Sequence, residues 1–316
     1  MSSFDHFPRP VLRVEGRNFY SDTKGSVVDP EKLHEHLELI LPLRAFATDA
    51  SKRADSSDPE EQKWGFAMMH AWAKGRALLD APLDFIGKRE RQRFTIALNI
   101  IALKLRACGL NIEPLLAWLN QLNRGVIADF AQHVAIGNLY VWSGVCAASC
   151  ALLDADSDAK RYENHVWQRS VDGIRADGFI EPEIRRGARA LLYHVYYLSA
   201  LLTLAAFRRA LGESPSRKDY IFINCLVAGL GRALYDPSPL VALSGSREQD
   251  VIPPIQLAPI MAWGTDFLNP GFLSYVSGEI PADDPLLGGD LSKTAEILAH
   301  LRRGSAAQTG MMQPAA

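Results

Sequence analysis

Residues 183–207 read EIRRGARALLYHVYYLSALLTLAAF, and the placement of this stretch decides the fold. From Ala190 to Phe207 it runs 18 residues without a formal charge, between Arg189 and Arg208. That is the minimum length for a helix that spans a bilayer. Its polar groups, however, include Tyr193, His194, Tyr196, Tyr197, Ser199 and Thr203. They gather in the N-terminal half instead of forming two interfacial belts. The stretch therefore reads as a buried helix of a large soluble domain, and no membrane span is expected.

Working outward, the same helical period dominates the chain, and period-two alternation is almost absent. Asp29-Pro30 opens a helix in which Leu33, Leu37, Ile40 and Leu41 repeat at three or four. Ser57-Asp58-Pro59-Glu60 reads as a cap and first turn for a helix carrying Phe66, Met69, Trp72 and Ala73. Further helices are predicted at Arg91–Cys108, Ile112–Phe130, Leu139–Leu153, Asp156–Ile174, Pro182–Gly212, Lys218–Tyr235, Ile255–Phe267 and Ser292–Arg302. About ten helices joined by mostly short connections are too many for a four-helix bundle. Successive antiparallel pairs closing into a double-layered ring, an incomplete α/α-toroid, accommodate them. The expectation is one all-α domain over residues 1–316, with an ordered loop or lid at residues 13–29 and a flexible tail at residues 304–316. Gly16 and Gly25 are the flexible points of that loop.

The chain has 34 Lys+Arg against 36 Asp+Glu, a formal charge of −2, and 48% apolar residues. This composition excludes a disordered chain, a collagen-like chain and a disulfide scaffold. It also excludes a global electrostatic grip on polyanions, so nucleic acid is not an expected partner and an acidic ligand needs a local basic cluster. The first thirty residues, Met1 to Pro30, are charged throughout and hold no apolar core of the secretory kind. Cys108, Cys146, Cys150 and Cys225 lack metal-ligand spacing and read as free thiols.

The sequence lacks a P-loop, a G-x-S-x-G, a G-x-G-x-x-G after a strand and an H-E-x-x-H. His34 and His36 point to different helix faces, and the acids from Asp55 to Glu61 suit a helix start. More informative is the stripe on the long apolar helix, where Arg189, Tyr193 and Tyr196 fall at i, i+4 and i+7 and Arg185 extends it by a turn. Periodicity alone favours tyrosines in a core with a snorkelling arginine. Chemistry enters if the stripe lines a cleft, because an arginine binds carboxylates and favours the ionised form of a nearby phenol. Asn138, opening an apolar helix in AIGNLYVWSG, reads as an N-cap or as a carboxylate binder.

These segments resemble the alginate lyase (poly-β-mannuronate lyase) family, polysaccharide lyase family five. Gln62–Leu79, with AMMHAWAKGRALL, is similar to the family's early Trp-containing helix. Val171–Tyr197 resembles its signature of an aspartate, a D-G-F turn, an E-L-K-R-like stretch and R-A-L-A-Y-H-N-Y. REQD at Arg247–Asp250 and LGGDL at Leu287–Leu291 resemble its later blocks. The resemblance implies an α/α-toroid that cleaves uronic acid polymers by β-elimination, with no metal and no cofactor. By position, Tyr196 resembles the tyrosine that is both base and acid, Arg189 the arginine that supports it, and Asn138 the asparagine that holds the carboxylate. Tyr20–Gly25, with Tyr20 and Lys24, is similar to the family's lid loop. Arg185, Tyr193 and Trp142 are the further substrate-binding residues implied.

One position departs from the family. Its motif N-N-H-S-Y-W stands here as Gly137-Asn138-Leu139-Tyr140-Val141-Trp142, so Leu139 occupies the catalytic histidine position. His133 in the preceding loop is a substitute candidate, though a surface role is the simpler reading, and His194 reads as a supporting residue. Two functions remain open. One is an active lyase on a mannuronate- or glucuronate-containing exopolysaccharide; the other is a homologue that binds acidic polysaccharide without turnover. A glycoside hydrolase would need two facing carboxylic acids; Asp177, Glu181 and Glu183 are available, but they sit at a turn and helix start where acids are expected anyway. The family resemblance implies a periplasmic or secreted protein, and the N-terminal sequence leaves the cytoplasm open.

Overall fold

Side-chain caps set several helix starts. Asp29 accepts hydrogen bonds from the Glu31 and Lys32 amides, Asp58 from Glu60, and Asp84 from Gly87, with proline at the first position after the first two. The computed structural model describes residues 7–132, 135–276 and 279–310. The helices are α1 (Pro30–Asp55), α2 (Pro59–Lys74), α3 (Phe85–Ala107), α4 (Glu113–Phe130), α5 (Asn138–Asp154), α6 (Ser157–Asp172), α7 (Glu181–Ile184), α8 (Ala190–Ala210), α9 (Arg217–Tyr235), α10 (Ser238–Ser244), α11 (Ala258–Trp263), α12 (Pro270–Tyr275) and α13 (Leu291–Gly310). A short antiparallel pair, β1 (Asp283–Asp284) on β2 (Gly289–Asp290), stands among them.

The described residues form two compact units. The first comprises residues 7–132, 149–162 and 283–291. In its core Phe46 stacks on Trp72 with ring centroids 3.5 Å apart. It also buries a cation completely. The Lys104 ammonium donates to Asp55 Oδ1 at 2.6 Å, the Gly288 carbonyl at 2.7 Å and the Asp290 carbonyl at 2.8 Å, which uses all three of its protons. The Asp290 amide donates to the second Asp55 oxygen at 2.8 Å. This network fastens the β1–β2 hairpin to α1 and α3. The same unit carries residues 13–29 as an ordered loop, in which Tyr20 bridges Val28 and the Asp29 amide donates to the Phe19 carbonyl at 2.9 Å. Asp22 gathers that loop. Against a desolvation penalty, hydrogen bonds from the Ser26 hydroxyl and the Val27, Ser26 and Lys24 amides hold its carboxyl at about 2.

The second unit comprises residues 135–148, 163–276, 279–282 and 292–310. Its central element is α8, which is long and apolar enough to cross a membrane but is buried over nearly all its residues. Tyr197 on α8 is fully buried and donates to the Ser170 carbonyl at 2.7 Å, tying α8 to α6. Trp167 donates to Asp219, the residue that also completes the Ser216 capping box of α9.

The helix expected over Pro182–Gly212 is interrupted. Gly187 adopts φ +60°, a left-handed conformation that glycine tolerates without a Cβ penalty, and Gly187–Arg189 form a 3₁₀ turn between α7 and α8. Ile255–Phe267 likewise divides into a 3₁₀ turn at Pro254–Leu257 followed by α11. At the C-terminus, α13 continues through Gly310, into the stretch expected as a tail. His133 lies outside the described residues.

Candidate active site

The interruption before α8 shapes the site. Arg189 is the last residue of the 3₁₀ turn and the N-cap of α8, with Tyr193 and Tyr196 on the following turns. The turn is held by residues some sixty positions later. Gln249 accepts from the Leu191 amide at 2.8 Å and donates to the Gly187 carbonyl at 2.9 Å. The Asp250 amide donates to the Ala188 carbonyl at 2.8 Å, and the Asp250 carboxylate pairs with Arg189 Nε at 3.2 Å. The REQD block is therefore a clamp around Arg189. Two guanidinium groups meet the Tyr193 ring: Arg186 lies 4.2 Å from its centroid and Arg189 5.7 Å. Tyr193 packs edge-on against Tyr196, with centroids 5.6 Å apart.

Asn138 starts α5 and is buried. Its backbone amide donates to Glu183 Oε1 at 2.6 Å, and its side-chain Nδ2 donates to the same oxygen at 3.0 Å. Glu183 is 1% exposed, and burial pushes its carboxyl above the ordinary range against the two Asn138 hydrogen bonds and the Arg186 charge. Its other oxygen lies 3.9 Å from Arg186 Nε. A chain of contacts thus links Asn138, Glu183, Arg186, Tyr193 and Tyr196, with Arg189 meeting the Tyr193 ring.

Other expected residues sit differently. Arg185 does not extend the tyrosine stripe: it caps α7 before the break, its side chain is 75% exposed, and it pairs with Glu181 at 3.2 Å. Trp142 is half-buried on α5, and Leu139 is half-buried beside Asn138. Tyr20 and Lys24 belong to the first unit, where Tyr20 packs on Phe19 with centroids 4.6 Å apart and the Lys24 amide donates to Asp22 at 3.2 Å. His194 is fully buried. Its Nε2 accepts from the Ile180 amide at 2.9 Å and its Nδ1 lies 2.7 Å from the Ala190 carbonyl, which fixes the neutral ring with the proton on Nδ1. Burial pushes this imidazole down to about 4, outweighing the Ala190 hydrogen bond.

The carboxylates considered for hydrolysis are engaged elsewhere. Asp177 and Glu181 both bind Arg175, and Glu183 is enclosed against Asn138. Among the described residues, no three His, Cys, Asp or Glu side chains gather into a group able to hold a metal. Two residues of the site went unread in the sequence. Glu183 was visible only as an acid at a helix start, and Gln249 only as part of the REQD block.

Residues 112–218 match the family model described as alginate lyase. A polysaccharide lyase of Stenotrophomonas maltophilia is 26% identical over 307 residues, covering 91% of this chain and 88% of that protein. An alginate lyase of Pseudomonas syringae pv. tomato is 23% identical over 250 residues, covering 74% of this chain and 66% of that protein. Among solved structures, a Tyr-to-Phe variant of alginate lyase A1-III complexed with tetrasaccharide matches with a TM-score of 0.78 at 18% identity. The match covers 92% of this chain and 85% of that one. Alginate lyase A1-III from Sphingomonas species A1 matches with a TM-score of 0.74 at 18% identity, covering 93% and 86%. The fold shared with these neighbours is the α/α-toroid, as expected from the helix pattern. The matched segment contains Asn138, Arg189 and Tyr196, so the likeness to alginate lyases falls on the residues of the candidate site.

Proposed function

We propose that the chain is a polysaccharide lyase that cleaves a uronic-acid-containing polymer, mannuronate- or glucuronate-bearing, by β-elimination. The single observation that carries this reading is the contact chain from Asn138 through Glu183 and Arg186 to Tyr193 and Tyr196, with Arg189 also over the Tyr193 ring. Asn138 holds the uronate carboxylate, which drains charge from C5 as its proton leaves. The Tyr196 phenolate, stabilised by Arg189, takes the C5 proton. The C–H electron pair becomes the C4–C5 double bond as the C4–O bond breaks. The leaving oxygen then recovers that proton from the Tyr196 phenol, giving an unsaturated uronate end and a new hydroxyl. A panel of polyuronates, followed by the absorbance of unsaturated ends for wild type beside Tyr196→Phe, tests this. Silence from every polymer at every pH up to about 10, where a free phenol ionises, overturns it.

Leu139 favours one second reading, a homologue that binds acidic polysaccharide without turnover, because an imidazole is absent from that position. On that reading, oligouronate binding survives Tyr196→Phe and the polymer stays intact in both. An extracytoplasmic setting follows from the nature of such polymers, and cell fractionation of the native host checks it.

A further inference from the structure

Glu183 is a costly residue to keep where it stands. A carboxylate 1% exposed loses nearly all its hydration, and its nearest cation, Arg186, is 3.9 Å away, too far for a hydrogen-bonded pair. What the fold supplies instead is Asn138, whose backbone and side-chain nitrogens both donate to one Glu183 oxygen. Gly137 keeps this approach open, since a Cβ there would fall 2.9 Å from the same oxygen. The start of α5 adds the favourable end of a helix dipole.

The geometry has a consequence for the asparagine amide. A side-chain amide is close to symmetric in shape, and its nitrogen and oxygen exchange places by a half-turn. A carboxylate accepts and does not donate, so Glu183 selects the orientation in which Nδ2 faces it. One Nδ2 proton is spent on Glu183, and the second proton and Oδ1 keep fixed directions. An amide that must meet a substrate carboxylate with an N–H is useful only when this half-turn is prevented.

We infer that Glu183 is a positioning residue for the lyase reaction, locking the Asn138 amide in the orientation that presents an N–H to the substrate carboxylate. This rests on the lyase reading above. Glu183 acts through Asn138 and does not touch the substrate. Its second oxygen also faces Arg186, the cation seated on Tyr193, so the same carboxylate borders both halves of the site.

A double-mutant cycle on kcat/KM tests it, with poly-β-mannuronate and a polyglucuronate as substrates and thermal melting recorded for each variant. Glu183→Met removes the acceptor at similar length and is expected to lower kcat/KM by about 10- to 100-fold, less than the roughly 10²- to 10³-fold of a deleted charge-stabilising donor because Asn138 itself remains. Glu183→Gln keeps an oxygen acceptor and is expected to recover most of that loss. In the Asn138→Ala background, Glu183→Met is expected to change kcat/KM by less than about twofold, while its melting temperature still falls because the α5 cap is lost. An equal activity loss in both backgrounds, or none in either, overturns the inference. If the wild type turns over neither of these two polymers, the cycle is read on binding of a mannuronate tetrasaccharide by calorimetry, and the lyase reading is judged separately on the full polyuronate panel. There the inference stands if Glu183→Met weakens binding only when Asn138 is present, and falls otherwise.

Discussion

The Tyr193 and Tyr196 rings meet edge to face, 5.6 Å between centroids and 78° between planes. The two phenols therefore do different work. Tyr193 offers its face to Arg186 and Arg189, while Tyr196 is the proposed proton carrier. Tyr196→Phe is expected to lower kcat by about 10²- to 10⁴-fold, the scale of a lost general base, with oligouronate binding retained. Tyr193→Phe keeps the ring and is expected to cost far less. Tyr193→Ala strips a platform from two arginines and is expected to impair binding and turnover together. Steady-state kinetics beside calorimetric binding separate the three.

Gln249 supplies both an acceptor and a donor to the turn that carries Arg189. Gln249→Leu removes both and leaves the Leu191 amide and Gly187 carbonyl without them. A stability loss of about 1–3 kcal/mol is expected, together with a drop in kcat/KM that exceeds what the melting shift explains. Urea unfolding and kinetics on the same preparation check both parts.

The Lys104 ammonium has no water to return to and holds three acceptors in the first unit. Lys104→Met leaves the Asp55 carboxylate beside two unpaired carbonyls. The expected cost is about 3–5 kcal/mol, the scale for breaking a buried pair from one side. Asp55→Asn is expected to cost a similar amount, because it leaves the buried ammonium without a counter-charge and turns an amide NH2 toward the Asp290 N–H. Differential scanning calorimetry compares the two.

His194 is held to about 4 in the folded chain, against an ordinary value of 6.5. Below pH 6.5 the unfolded chain takes up a proton that the folded ring refuses. The stability from this group is thus complete above pH 6.5 and declines as the pH falls toward 4. His194→Leu, though weaker at pH 7, is expected to show a flatter dependence across that window in urea titrations. The wild-type imidazole is expected to stay neutral from pH 5 to 8 by NMR.

Much of this was legible in the sequence where burial follows period. The caps at Asp29 and Asp58, the helices from α1 to α6, and the tyrosine pair on α8 all follow from local spacing. The break at Gly187 did not, because a lone glycine between arginines is tolerated in a helical pattern. Its stability as a turn comes from Gln249 and Asp250, far along the chain. Arg185 went to solvent for the same reason. Glu183 was read as an acid at a helix start because charge predicts exposure, and only its contact with Asn138 explains its burial. The helices α10 and α12 are too short for periodicity to register.

The clamp on Arg189 also makes the site adjustable. Most arginines on a helix are aimed by that helix, so redirecting one disturbs the packing of its whole face. Here the guanidinium is aimed from outside, by a segment that runs on into Val251, which is 91% exposed. Changes in the length or sequence of that segment can swing Arg189 while α8 stays seated among its neighbours. Residues 246–252 are thus a place where the aim of Arg189 can vary without refolding the protein.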